Sequence, residues 1–150
     1  MSLKNVAGFL MVMACMALLT SCGGNKAVYS DGTYKGQSAV HDEEESASYG
    51  NGYGVVDLTI SGGVITECTF ETYEADGTLK AENYGMEGGK ISNRDYYNMA
   101  QKAVAACKEY AEQLVKSGSA KEVDAISGAT VNYNLFQEAV EDALMQAERK

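Results

Sequence analysis

The 150-residue chain contains no proline, no tryptophan and one histidine, and these scarcities narrow the chemistry open to it. Without proline, no helix or strand is broken by a missing N–H, so long uninterrupted elements are allowed. The single histidine, His41, is followed by Asp42-Glu43-Glu44-Glu45, which reads as a solvated acidic loop rather than a metal site. No nucleophile–histidine–acid set stands out, so hydrolytic enzymes have little support. The four cysteines form no C-x-x-C and no zinc spacing, which disfavours haem, iron–sulfur and structural zinc. A net charge of −9 sets the chain against phosphate backbones, and nucleic acid is not an expected partner. Gly52-Tyr53-Gly54 lacks the third glycine of a dinucleotide loop and leads into a strand-like run instead of a helix.

Long hydrophobic runs are missing too. Val6 to Leu19 is apolar for 14 residues, short of the roughly 20 that a spanning helix needs. Lys4 precedes it and Thr20-Ser21-Cys22 follow, so residues 1–21 read as an export signal. Leu19-Thr20-Ser21-Cys22 resembles a bacterial lipobox, which implies lipidation of Cys22, palmitate included, and a mature chain starting there. The alternative is an ordinary cleaved signal with a chance cysteine. Residues 22–31, opening Gly23-Gly24-Asn25, are expected to form a flexible tether. Without the first 21 residues the remaining 129 carry −10. Membrane attachment must then come from acyl chains and not from a basic face. The expected location is extracytoplasmic, lipid-anchored to a bacterial membrane.

Cys15 leaves with the signal and Cys22 takes the lipid, which leaves Cys68 and Cys107. Cys68 falls in a strand-like run, on the same side as Val64 and Phe70, and Cys107 falls on the apolar stripe of a helix. Two buried free thiols or one disulfide both satisfy the pattern.

The rest, residues 32–148, is long enough for one domain with one core. Gly32-Thr33-Tyr34-Lys35-Gly36 starts a first strand. Val55–Ile60 and Val64–Tyr73, separated by Ser61-Gly62-Gly63, read as a hairpin. Residues 74–91 are expected to be loops with one short strand. A helix should begin near Ser92 or Asn93, where Ser92-x-x-Asp95 resembles a capping box. Its apolar face would be Met99 or Ala100, Ala103, Val104, Cys107, Ala111, Leu114 and Val115. A second helix is expected from about Asn132 to Ala147. The order implies an α+β fold, a small antiparallel β-sheet packed against two α-helices.

Between the helices stands Asp124-Ala125-Ile126-Ser127-Gly128-Ala129-Thr130. Gly128 allows close backbone approach and Ala129 adds no bulk, so the Thr130 hydroxyl is presented just before a helix. Helix-start N–H groups, expected around Asn132 to Asn134, would favour a phosphate there. Asp124, itself anionic, is suited to fixing the turn or to helping an attaching enzyme hold its metal. The plainer reading makes Ser127 or Thr130 a helix cap.

D-x-x-S-G-A-T is also the attachment signature of the FMN-binding domain family. The stretch from Asp31 to about Ala147 resembles that domain in Asp31-Gly32-Thr33-Tyr34, Gly52-Tyr53-Gly54, Gly62-Gly63-Val64-Ile65-Thr66-Glu67 and Val123 through Thr130. Only the last string is specific. The chain departs from the commoner pattern with Tyr133 and Asn134 after the motif and no proline before the hairpin. The resemblance implies FMN as cofactor, carried on Thr130 as a threonyl phosphoester, with Ser127, Gly128, Ala129 and Asp124 forming the attachment site. It also implies a magnesium-dependent flavin transferase that uses FAD and releases AMP. The implied role is an electron carrier rather than an enzyme, exchanging electrons with a membrane-linked redox donor or acceptor. A non-flavinylated surface lipoprotein acting as a binding or structural module is the competing reading. Tyr53, Tyr84 and Tyr133 are candidates to stack on the flavin. The acidic body is expected to lower the flavin's potential.

Overall fold

The structure, a computed structural model, describes residues 29–42 and 50–148. The expected signal, Cys22, most of the tether and the acidic stretch 43–49 lie outside the described residues. Strands β1 (Gly32–Gln37), β2 (Tyr53–Ser61) and β3 (Val64–Tyr73) form an antiparallel sheet in the order β1-β2-β3. Helices α1 (Arg94–Ser117) and α2 (Thr130–Ala147) follow, joined through a 3-10 turn at Ala120–Glu122. Helix α1 packs on β3, and α2 lies across β1 and β2. This is the expected α+β fold. No helix among the described residues is long and apolar enough to cross a membrane.

Alternation sets the inner face of β2: Val56, Leu58 and Ile60 are buried while Asp57 is exposed. On β3 the alternation is interrupted. Thr59 pairs with Glu67 but Ile60 pairs with Ile65, so Thr66 is an extra residue, a β-bulge. The bulge shifts the parity. Ile65 faces the core together with Phe70 and Thr72, and Val64 is left 60% exposed. Val64 therefore does not share a face with Phe70, contrary to the simple alternation that grouped it with Cys68.

Helix α1 begins one residue later than a box at Ser92 would place it. Asn93 is the N-cap, its side-chain oxygen accepting the Tyr96 N–H at 3.0 Å, and Asp95 lies in the first turn. Its buried stripe is Ala100, Ala106, Cys107, Tyr110, Ala111 and Leu114, with Met99 outside it. Helix α2 starts at Thr130, two residues earlier than Asn132, and buries Leu135, Phe136, Ala139, Val140 and Ala143. Phe70 meets Phe136 edge-on at 5.0 Å and Tyr110 stacks on Phe136 at 5.7 Å, which joins β3 and both helices. Residues 74–91 contain turns and isolated bridges, with no regular strand. Three residues assigned to the tether belong to the fold: Ser30 donates its N–H to the Ala147 carbonyl at 2.8 Å, Tyr29 bridges to Glu148, and Asp31 Oδ1 accepts the Gly63 N–H at 3.0 Å. His41 is not a solvated loop residue either. It pairs with Glu138 on α2 at 3.4 Å, its side chain 14% exposed.

Both described cysteines are free thiols. Cys107 Sγ lies 4.0 Å from Thr72 Oγ1, whereas Cys68 is four residues back along β3, about 13 Å away. No disulfide reaches across that span. Burial first, and then the Asp57 charge, push the Cys68 thiol up from 9.0 to about 12. The folded protein holds Cys68 protonated where the unfolded chain would release the proton. Its contribution to stability is complete below pH 9 and is lost as pH rises from 9 toward 12. Denaturant melts should show this decline, and Cys68→Ala should flatten it.

Close packing of β1 on α2 depends on Gly36. A Cβ at that position would lie 2.0 Å from the Ala139 carbonyl oxygen and 2.5 Å from the Ala143 nitrogen. Both obstacles are helix backbone and cannot rotate away. Gly36→Ala should lower stability by about 3 kcal/mol or more in urea titration, while Gly62→Ala, which meets no neighbour, should cost less.

Candidate functional site

The expected attachment string folds into a turn and a helix start. The Ala129 N–H donates to the Ile126 carbonyl at 2.9 Å, closing a turn with Ser127 and Gly128 at its corners. Gly128 has φ +83°, a left-handed backbone that a side chain at this position would strain. Ala129 is the N-cap of α2 and makes no side-chain cap, so neither Ser127 nor Thr130 is a capping residue. The plainer reading of the motif as a capped helix end is not what the structure contains.

Thr130 is the first residue of α2 and is exposed. The Tyr133 N–H already donates to the Ala129 carbonyl at 3.0 Å. The N–H groups left without helical partners are therefore those of Thr130, Val131 and Asn132, not the expected set running to Asn134. No acidic residue lies in the first turn. One cation lies close by: a methyl group built on Gly128 would sit 3.4 Å from Lys102 Nζ.

Tyr110 anchors the turn from beneath. Its hydroxyl donates to the Ala129 carbonyl and accepts the Ile126 N–H, both at 3.0 Å, and the residue is fully buried. Burial is also the main cause that pushes its phenol above the usual tyrosine range. Gln113 holds the preceding residue, its Oε1 accepting the Asp124 N–H at 2.8 Å, and leaves the Asp124 side chain exposed. On the other side, buried Asn132 donates to the Ala103 carbonyl at 2.7 Å and to Cys107 Sγ at 3.3 Å. Both ends of the turn are thereby tied to α1.

Thr130 opens onto a cleft of about 370 Å³, within the range of small-molecule sites. Its walls come from the motif (Gly128 to Asn132), from Asn51, from Lys80 and Tyr84, and from Tyr96, Met99 and Ala103 of α1. Gln101 Nε2 positions the Tyr84 loop by donating to the carbonyls of Ala81 at 3.1 Å and Tyr84 at 2.9 Å. Of the three tyrosines singled out as stacking candidates, only Tyr84 lines this cleft. Tyr53 stacks on Tyr73 at 5.3 Å, and Tyr133 lies against Tyr110 at 5.8 Å. A larger cleft, about 480 Å³, lies between β3 and α1 beside Cys68 and Cys107, but no motif residue reaches it. Of these two clefts, the smaller is the one that Thr130 lines.

Several contributors were not singled out in the sequence. Tyr110 lies three residues after Cys107 and four before Leu114, on the apolar stripe, so its period was readable. Asn132 is likewise a polar residue on the buried face of α2. Tyr96 looks like an ordinary surface residue of α1, Met99 was expected on its apolar face and is exposed instead, and nothing local marks Lys80.

Comparison with known proteins bears on the family and on the fold. The FMN-binding domain profile matches residues 27–145. Among solved structures, the CPE2226 protein of Clostridium perfringens superposes with a TM-score of 0.58 at 21% identity, over 79% of this chain and 88% of that one. A Clostridium thermocellum protein solved in solution gives a TM-score of 0.41 at 21% identity, over 79% and 92%. No match was found among curated proteins. The profile spans most of the chain, and the protein therefore belongs to the FMN-binding domain family, with FMN as its cofactor.

Proposed function

We propose that this protein is an extracytoplasmic, lipid-anchored electron carrier with FMN joined covalently to Thr130. The observation that carries the reading is the exposed Thr130 hydroxyl on the first residue of an uncapped helix, at the mouth of a cleft of suitable size. The residues fit the group. A phosphate on Thr130 would meet the N–H groups of Thr130, Val131 and Asn132 and the positive end of the α2 dipole. Lys102, close to Gly128, would offset its charge. The ring system would cover Tyr96 and Met99, which stand 49% and 63% exposed. When bound, the flavin supplies one- and two-electron transfer, and the chain supplies attachment, orientation and electrostatics.

The exposed Asp124 suits the attachment step, because its backbone is already held by Gln113 and its carboxylate is left for a transferase-bound magnesium ion. Cys22 as the lipidated residue explains how an acidic body stays at a membrane surface, and a covalent bond keeps a small cofactor from diffusing away outside the cell. The electrons would pass to or from a membrane-linked redox partner.

Intact mass measured on the full chain co-produced with a flavin transferase is the decisive test. The increment should equal FMN less one water, persist in Ser127→Ala and vanish in Thr130→Ala. An unmodified wild-type chain would instead favour a non-flavinylated binding module. Tyr110→Phe removes one donor and one acceptor from a buried site, which should cost about 1–3 kcal/mol in denaturant unfolding. At a temperature where that variant remains folded, its flavin loading should still fall, because the turn loses its support.

A further inference from the structure

Lys80 is the only charged side chain buried among the described residues. A buried ammonium is costly unless its protons and its charge are used. Three groups surround it: the Asn51 carbonyl accepts a hydrogen bond, a Glu74 carboxylate oxygen lies at 3.9 Å, and the Tyr84 ring centre lies at 5.0 Å. Glu74 stands at the outer limit of an ion pair and is 31% exposed, so it neutralises the ammonium incompletely. Asn51 and Tyr84 line the same cleft as Thr130, and so does Lys80 itself. An ammonium has three protons to donate, of which Asn51 takes one, while Glu74 at 3.9 Å lies beyond hydrogen-bond reach. Among the described residues, Asn51 is the one hydrogen-bond acceptor of this ammonium.

We propose that Lys80 faces the acceptor-bearing edge of the isoalloxazine and sets the flavin's reduction potential locally. This rests on the attachment of FMN to Thr130. The pyrimidine half of the ring carries its acceptors (N1, the two carbonyls and N5), whereas the other end carries methyl groups. A cation in the cleft wall is compatible with the first edge and not with the second. When a donor supplies two electrons and one proton, the proton joins N5 and one negative charge remains over N1 and the adjacent carbonyl. Lys80 keeps its three protons and balances that charge through space, with no bond to it made or broken.

The competing influence is the acidic body, −10 from Cys22 onward. Those charges are mostly on the surface, where salt screens them within about 8 Å. Lys80 acts from a low-dielectric wall at short range, so its sign prevails. On this proposal, Lys80 would outweigh at the ring the lowering of the potential expected from the acidic composition. Burial pulls the Lys80 ammonium below the ordinary lysine range and Glu74 opposes that pull. A reduced flavin would oppose it further.

The test uses the full chain co-produced with a flavin transferase, as wild type, Lys80→Met, Lys80→Arg and Glu74→Gln. Intact mass establishes loading. Sulfite, which adds to N5 and leaves the same negative charge at N1, then reports the field without a redox partner, alongside the midpoint potential. The sulfite dissociation constant should rise about tenfold in Lys80→Met, stay near wild type in Lys80→Arg and fall in Glu74→Gln. The potential should drop in the first and rise in the last. A lysine that only staples loops together would not produce shifts of opposite sign from its own removal and that of its counter-charge. If Lys80→Met fails to load, Glu74→Gln decides: unchanged sulfite affinity and potential overturn the proposal. Equal sulfite affinity across loaded variants overturns the role of Lys80 and leaves attachment intact. Absence of the FMN increment from wild type overturns both.

Discussion

The hydroxyl of Tyr110 sits at the bottom of the core with two hydrogen bonds, one given to the Ala129 carbonyl and one received from the Ile126 N–H. Those partners are the two residues that bracket Ser127 and Gly128. Without the phenol, a buried donor and a buried acceptor would face apolar walls, and the turn would lose the contact that fixes its height over α1. The position of Thr130, the start of α2 and the mouth of the cleft all follow from where that turn is held. Asn132 and Gln113 secure the flanks, but Tyr110 alone reaches the middle.

Much of this architecture could be read from the residues in order. The hairpin followed from β-branched runs around Gly62-Gly63, and both helices followed from apolar spacing. What period-counting misplaced was the face of Val64, because a bulge at Thr66 leaves no mark in composition, only in how two strands pair. The turn and helix start at the motif could be read because the features that form them, Gly128 and the apolar spacing that follows, are local. The cleft around it could not. Asn51, Lys80 and Tyr96 come from three separate segments, and only the packed fold brings them to Thr130. Tyr84 was found for its aromaticity, while Tyr53 and Tyr133, chosen on the same ground, pair with other tyrosines.

The charge pattern divides by location. The described acidic residues are exposed or partly exposed, where water and salt dull their charges. The cations that bear on the site are placed singly: Lys102 beside Gly128 and Lys80 inside the cleft wall. Two singly placed cations therefore stand at the cleft, in contrast to the net negative charge of the chain.

The support that Tyr110 gives to the Ile126–Ala129 turn also has a consequence in time. Tyr110 stands 20 residues before Thr130 on a different helix, so the turn lacks this support until the two helices have packed together. A free peptide with the same seven letters has the hydroxyl but no platform beneath it. Whatever recognises that turn must wait until α1 and α2 have met. On the proposed function, the string in the sequence is an address, and the core would have to close before it could be read.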